Sequence, residues 1–326
     1  MKRVLIIRLS SLGDVLLTTP IIRALKKKYP DYKIDFLVRN QYSDVLRYNP
    51  NLNKIYEFNP LNVKELLNEL MQNNYDFILD LQNNFRSRKI TLRLKTKVYH
   101  FKKLSLRKFL LVNFKINLMR NSKSIVERYA ESFPEIQLDD HGLEIFIPKE
   151  LENKIHDFNK DSIIGLCPGS KHFTKRWLPE YFVELGKKLS NDGFTILIFG
   201  GKDDETICSE ISRQIPNSIN LQNNNEIILT AAYMKKCKLI VTNDSGLMHT
   251  ASAVKTPVLV IFGSSVKEFG FLPYKTKNII LENENLRCRP CSHIGKEECP
   301  KGHFKCMKDL TPDFVYNHLI NFLEEL

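Results

Sequence analysis

The feature that most limits what this chain can become is a rhythm of short apolar runs, rich in Ile, Val, Leu and Phe, alternating with longer helical patterns. Strands are expected at 3–8, 33–38, 54–58, 76–81 and 97–101, and helices at 14–28, 41–48, 61–73, 84–94, 105–117 and 123–133. Pro148 and the polar stretch 149–162 interrupt the series, and a second one begins: strands 163–167, 194–199, 238–242 and 257–262, with helices near 178–191, 204–214, 225–236 and 246–254. Strands that read as nearly continuous apolar runs are covered on both faces, which is the mark of a doubly wound parallel sheet. The expectation is an α/β chain of two Rossmann-like domains, 1–155 and 156–326, facing across a cleft, with the final helix free to pack back on the first domain. A length of 326 residues, at roughly 150 per domain, agrees with two cores.

Composition removes several classes. With 43% hydrophobic and 26% charged residues the chain reads as an ordinary soluble globular protein rather than a disordered, collagen-like or coiled-coil one. No apolar run approaches the roughly 18 residues of a membrane span. Near the start, Val4-Leu5-Ile6-Ile7 is cut by Arg8 and followed by Asp14, too short and too polar for a signal peptide, so it reads as a buried strand in a cytoplasmic protein.

Charge is uneven. The formal net charge is +12, yet the 46 residues between Asp80 and Glu127 hold 13 basic side chains and no carboxylate, so the remainder is close to neutral. Any partner implied by the charge is therefore local to 81–126. A phosphate backbone would suit such a stretch, but it contains no recognisable nucleic-acid module, and Phe85, Tyr99, Phe101, Phe109 and Phe114 are what packing of helices and a strand requires. No nucleic-acid partner is expected.

Four segments after strands could carry chemistry. In Arg8-Leu9-Ser10-Ser11-Leu12-Gly13-Asp14, Gly13 permits a tight strand-to-helix turn. Asp14 there is either a helix cap, favoured by the dipole, or a carboxylate at the ligand-binding end of a sheet. Cys167-Pro168-Gly169-Ser170, followed by Lys171, His172, Lys175 and Arg176, offers hydroxyl, amide and cationic donors that suit a diphosphate, with a solvated basic loop as the alternative. The single Trp177 is expected to pack beneath that loop. Gly200-Gly201 lets backbone pass close to a ligand. Asn243-Asp244-Ser245-Gly246 opens a small-residue helix whose first N–H groups can face an anion, leaving Asp244 to cap the loop or meet a sugar hydroxyl, and His249 on the Ser245 face as either a site or a structural residue.

Of seven cysteines, Cys167, Cys208 and Cys237 lie in apolar patterns and read as buried packing residues. Cys288, Cys291, Cys299 and Cys306 cluster within 19 residues. Their C-x-x-C start has metal-knuckle spacing but the second pair is six residues apart, leaving structural zinc, free packed thiols and redox-sensitive disulfides open.

Taken together, the Leu-Gly-Asp turn, Pro-Gly-Ser with Lys-Arg-Trp-Leu-Pro-Glu, and Asn-Asp-Ser-Gly-Leu-Met-His before an Ala-rich helix resemble glycosyltransferase family nine, the lipopolysaccharide heptosyltransferases, from residue 1 to about 306. The resemblance implies a GT-B fold and an inverting, metal-independent transfer of heptose from ADP-heptose to the lipopolysaccharide inner core, with no cofactor. It makes Asp14 the catalytic base. It gives the stabilisation of departing ADP to Lys175 and the helix start at Ser245-Gly246. Ser170, Lys171, Gly201, Asp203, Asp244 and His249 complete the donor set it implies, and Ser10, Ser11, Gly13, Arg86 and Arg88 the acceptor set. Two departures stand out: Lys171 replaces a second hydroxyl residue, and Lys-Asp-Asp after Gly201 leaves Asp203 or Asp204 as the acidic residue near the nucleotide. Many members carry a comparable Cys-rich segment. The expected enzyme is a monomer, peripheral on the cytoplasmic face of the membrane, with its 13 cations on the acceptor-side domain facing an anionic surface.

Overall fold

The computed structural model describes residues 2–153, 155 and 162–326. By packing the chain divides into two units: Met1–Leu104 with Lys123–Pro148, and Ser105–Ser122 with Lys149–Leu326. Of the linker expected over 149–162, Lys149–Glu152 forms a short helix, while 154 and 156–161 lie outside the described residues.

In the first unit β1 (Arg3–Ile7), β2 (Lys33–Arg39), β3 (Lys54–Phe58), β4 (Phe77–Asp80) and β5 (Lys97–His100) form a parallel sheet of order β3-β2-β1-β4-β5. The chain winds outward from β1 to β3, then returns to the other side of β1 for β4 and β5. The switch therefore falls between β1 and β4, whose carboxyl ends are level, with Ile7 opposite both Leu37 and Asp80. One face buries Leu5, Ile7, Leu37 and Ile78 beneath Leu66, Leu70 and Ile90 of the helices Val63–Met71 and Phe85–Leu94.

The helix expected over 14–28 is two helices, Leu12–Leu16 and Thr19–Lys28. Thr18 and Thr19 donate their hydroxyls back to the Val15 and Leu16 carbonyls at 2.7 and 2.8 Å, and Pro20 opens the second helix. Residues 123–148 are tied to this helix pair, because Arg23 donates to Asp139 Oδ2 (2.8 Å) and Glu144 Oε2 (2.5 Å).

The second unit contains β6 (Ile163–Cys167), β7 (Thr195–Ile198), β8 (Ser218–Asn220), β9 (Leu239–Asn243), β10 (Val258–Phe262) and β11 (Asn278–Glu282), in the order β11-β10-β9-β6-β7-β8. Ile164, Leu166, Ile196, Ile198, Val241 and Ile261 fill one face, and Ile163, Cys167, Leu197, Ile240 and Val260 the other, so the period-two alternation is buried twice. The edge strands β8 and β11 were not expected from the sequence.

Two placements follow from the packing. The final helix, Pro312–Glu324, packs inside the second unit: Val315, Leu319 and Phe322 join the cluster around Trp177, and Tyr316 donates to Asp192 at 2.8 Å. The basic stretch is not a single face on the first domain, because Ser105–Ser122 belongs to the second unit by packing and takes Arg107, Lys108, Lys115 and Arg120 with it. The helix Ser105–Phe114 ends at Lys115, which sits at φ +61° and donates its ammonium to the Pro290 and Cys288 carbonyls at 2.6 and 3.1 Å. Asn117 adds a bond to Glu268 at 2.9 Å. No helix among the described residues is long and apolar enough to cross a membrane.

Candidate active site

In the first unit the residues expected to act lie just past the carboxyl end of β1, at the switch point. The loop Arg8–Ser11 is fixed by its backbone: Arg8 N–H donates to Leu37 O, Arg39 N–H to Leu9 O, and Gln82 Oε1 accepts from both Leu9 and Ser10 N–H at 2.9 and 3.2 Å. Gln82 itself follows β4. Asp14 sits in the first turn of Leu12–Leu16, and its Oδ2 accepts from the Ser11 N–H (3.0 Å) and the Ser11 hydroxyl (2.8 Å). Ser11 is thus the N-cap and Asp14 the third helical residue, whose Oδ2 closes a capping box on Ser11 and leaves Oδ1 for a separate contact.

That second oxygen, Oδ1, lies 2.6 Å from Arg8 Nη2. Arg8 is nearly buried, donates Nη1 to Leu81 O at 2.8 Å, and lies over the Tyr129 ring at 5.7 Å. Burial alone would raise the Asp14 pKa, but the Arg8 charge and the Ser11 bonds outweigh it and hold the carboxyl below its ordinary value. The buried Tyr129 phenol is pushed the other way, first by burial and then by the Asp14 charge, despite Arg8 pulling it down.

Asp80 ends β4 and accepts from Asn83 N–H (2.7 Å) and the Ser87 hydroxyl (2.8 Å), fixing the start of the helix Phe85–Leu94. Arg88 on that helix bonds Asn83 Oδ1 at 3.0 Å, and both Arg88 and Arg86, two residues earlier, are exposed. Burial, helped by the Arg8 and Arg88 charges, lowers the Lys103 pKa against the pull of Asp80 and Asp14. Ser10, Ser11, Gly13 and Asp14 share one loop and helix start, while Arg86 and Arg88 are both exposed on the helix after β4. Sequence reasoning missed Arg8, Gln82 and Tyr129. A buried Arg after a strand was the available signal for Arg8, whereas Gln82 and Tyr129 depend on pairing that no local pattern shows.

In the second unit the switch lies between β6 and β9, with Cys167 level with Thr242. Asn243 is fully buried and bridges the two loops, donating to Pro168 O (2.8 Å) and accepting from Trp177 N–H (2.9 Å). Trp177 lies beneath the loop as expected, its indole bonded to Leu310 O at 2.8 Å. The Lys175 ammonium is 2.7 Å from Asp244 Oδ2, which also accepts from the Ser265 hydroxyl at 2.5 Å. Lys175 is therefore matched to a carboxylate of its own loop pair, a relation absent from the sequence reading.

Ser245 is the extended residue before the helix Gly246–Ala253 and makes no side-chain cap, so the first-turn amides are not capped by its side chain. His249 is buried on that helix. Ser170 is buried and its carbonyl accepts from Arg176 at 2.6 Å, whereas Lys171 is exposed. The two candidate acids after Gly201 differ: Asp204 accepts from Gly201 N–H at 3.0 Å and packs so tightly under Gly169 that a Cβ there would lie 2.2 Å from its carboxylate, while Asp203 is exposed. Close backbone passage at Gly169 is the reason for that glycine.

The four-cysteine segment supports this loop. Thr174 N–H donates to Lys296 O (3.1 Å), Lys296 N–H returns to Thr174 Oγ1 (2.8 Å), and Cys291 N–H reaches Ser264 O (3.2 Å). Arg289, buried, binds Gly263 O, Asn283 O and Ser265 O at 2.6, 2.7 and 2.8 Å and pairs with Glu282 at 2.7 Å. All four thiols are free, and burial raises Cys291 and pushes Cys306 up to about 12. Cys288 Sγ lies 3.8 Å from His303 Nε2, but among the described residues no three His, Cys, Asp or Glu side chains converge closely enough to hold a metal ion.

Two Rossmann-like units, each with its polar loops gathered at the switch point of its sheet, are those of a GT-B-type glycosyltransferase. Solved structures share the fold over the whole chain: a glycosyl transferase family 9 protein from Veillonella parvula (TM-score 0.82, 23% identity, 100% of this chain and 98% of that one), and the E. coli ADP-heptose lipopolysaccharide heptosyltransferase II (TM-score 0.75, 22% identity, 100% and 99%). The chain belongs to glycosyltransferase family 9 (heptosyltransferase), whose family model matches residues 63–301. It is also 28% identical over 324 residues to lipooligosaccharide heptosyltransferase 2 of Campylobacter jejuni, covering 96% of each chain.

Proposed function

We propose that the protein transfers heptose from ADP-heptose, with inversion, to the inner core of lipopolysaccharide, and that its acceptor already carries one heptose. The observation that carries the reading is Asp14, an ionised carboxylate held by Arg8 and Ser11 at the ligand end of β1. Similarity to relatives named heptosyltransferase 2 supports the donor and the order of transfer.

In the proposed step an acceptor hydroxyl gives its proton to Asp14 as its oxygen bonds the anomeric carbon. The bond from that carbon to the diphosphate breaks, and its electron pair leaves on ADP. Lys175, Ser170 and the first-turn amides at Ser245-Gly246 meet the charge that develops there. Asp244 orients Lys175 and, with the exposed Asp203, meets hydroxyls of the donor. Arg86 and Arg88 meet acceptor phosphate. The acceptor is a membrane lipid, so the enzyme works peripherally at the cytoplasmic face of the membrane.

The test is ADP release from ADP-heptose with core acceptors carrying zero, one or two heptoses. Turnover confined to the one-heptose acceptor is expected. An inert ADP-heptose with an active different sugar nucleotide would overturn the donor, and Asp14→Asn retaining full turnover would overturn the base.

A further inference from the structure

We propose that residues 105–120 dock the enzyme on an anionic lipid bilayer. Leu106, Phe109, Phe114, Ile116 and Leu118 enter the interface, and Arg107 and Arg120 meet the headgroups. The inference rests on the reading that the acceptor is a membrane lipid, and it names the element of this chain that reaches the membrane.

Those five apolar side chains are 49–70% exposed although they fall within 13 consecutive residues. Phe109 and Phe114 meet edge to face at 5.9 Å, so these two exposed rings form one contiguous surface at the end of the helix. The segment is nevertheless held firmly from behind. Leu111 and Met119 are buried, and Lys115 and Asn117 bond to Pro290, Cys288 and Glu268. A rigidly mounted apolar surface that the fold leaves uncovered points outward to a partner.

Charge selects that partner. Residues 81–126 contain no carboxylate, and Arg107 and Arg120 are exposed within the apolar segment. A second copy meeting this patch across a two-fold axis would set Arg107 and Arg120 against cations of their own kind, with Glu268, which accepts from Asn117, as the acid beside them. A bilayer with anionic headgroups offers hydrocarbon and negative charge together. The helix Ser105–Phe114 has 10 residues, half of what a span needs, so it lies in the interface. Seven of the 15 exposed large apolar side chains among the described residues fall in the same carboxylate-free stretch, the other two being Phe85 and Leu92.

The experiment is co-sedimentation of the full chain with vesicles of phosphatidylglycerol and phosphatidylcholine, or of phosphatidylcholine alone. Binding to the anionic vesicles is expected, with salt dependence. Arg107→Gln with Arg120→Gln lowers partition roughly 25-fold, about fivefold per charge, and Phe109→Ser with Phe114→Ser lowers it about tenfold or more. Both pairs keep transfer to a water-soluble, deacylated acceptor. Unchanged partition in both pairs, or equal binding to neutral vesicles, overturns the proposal. So does a dimer that Phe109→Ser with Phe114→Ser converts to monomer while vesicle binding stays. If the deacylated acceptor is inert but partition behaves as stated, the substrate reading fails and the docking element stands.

Discussion

The Arg8 guanidinium lies 2.6 Å from the Asp14 carboxylate, and each is mostly buried with side-chain exposures of 9% and 16%. Asp14 acts as a base only when ionised, so activity is present above its pKa and is lost as pH falls through it. Burial pushes that pKa up, and Arg8 together with the Ser11 bonds pulls it down by more. Arg8→Met therefore moves the acid limb of the kcat/KM profile to higher pH, whereas Asp14→Ala lowers kcat roughly 10²–10⁴-fold at every pH with ADP affinity retained. An acid limb that stays in place in Arg8→Met would remove Arg8 from this role.

Gln82 holds two backbone amides of the Asp14 loop, those of Leu9 and Ser10. Gln82→Met leaves both without that acceptor, at a cost of about 1–3 kcal/mol for the buried Leu9 amide and less for the half-exposed Ser10 one. Chemical denaturation reads the loss of stability, and a fall in kcat with unchanged ADP affinity separates the loop from the donor site.

At the donor loop, Lys175 and Asp244 answer to different parts of the ligand. Lys175→Ala is expected to weaken ADP and ADP-heptose alike and to reduce kcat/KM by about 10²-fold or more. Asp244→Asn removes a carboxylate beside that ammonium, so ADP alone binds at least as well while ADP-heptose binds more weakly. Calorimetric titration with the two ligands distinguishes these outcomes from a general loss of binding.

Arg289 holds three carbonyls and the buried Glu282 carboxylate. Arg289→Gln leaves Glu282 with only the longer Lys267 ion pair at 3.5 Å, a loss smaller than the roughly 3–5 kcal/mol of a fully broken buried pair, and loosens Ser265 beside Asp244. A lowered melting temperature is expected, restored in part by adding Glu282→Gln. Absence of any rescue would mean that the carbonyl bonds, rather than the weakened ion pairing, carry the effect.

Asp139 is pushed down to about 2, first by its hydrogen bond from Arg23, with the His141 amide assisting. Its contribution to stability is complete above the unfolded value near 4 and disappears as pH falls through about 2. Asp139→Asn should flatten the stability curve across that interval, as followed by urea unfolding at stepped pH.

The central strands were readable because a run such as Val4-Leu5-Ile6-Ile7 or Val258–Phe262 is buried on both faces and shows no polar gap. The edges were not. Ser218–Asn220 is three partly exposed residues with one apolar side chain, and Asn278–Glu282 borrows its strand character from β10 beside it. The final helix carried readable signals, with Thr311 accepting from Phe314 N–H and Pro312 in its first turn. Asp14, Lys175 and the Asn-Asp-Ser-Gly loop stood out because each follows a strand end. Their partners Arg8, Gln82, Ser265 and Arg289 did not, since those contacts are made by residues brought level through sheet register and cross-loop bonds, up to 73 positions away in the chain.

Residues 105–122 pack with the second unit while the chain on either side of them packs with the first, so the backbone changes allegiance three times rather than once. During synthesis Lys115 leaves the ribosome 173 and 175 residues before Cys288 and Pro290, whose carbonyls it will grip. Leu111 and Met119 must wait, uncovered, for partners not yet made. Expression of residues 1–155 as an isolated fragment would therefore display a helix with no home, and a gene split at the linker gives a first piece carrying a segment of the second unit and a second piece that lacks it.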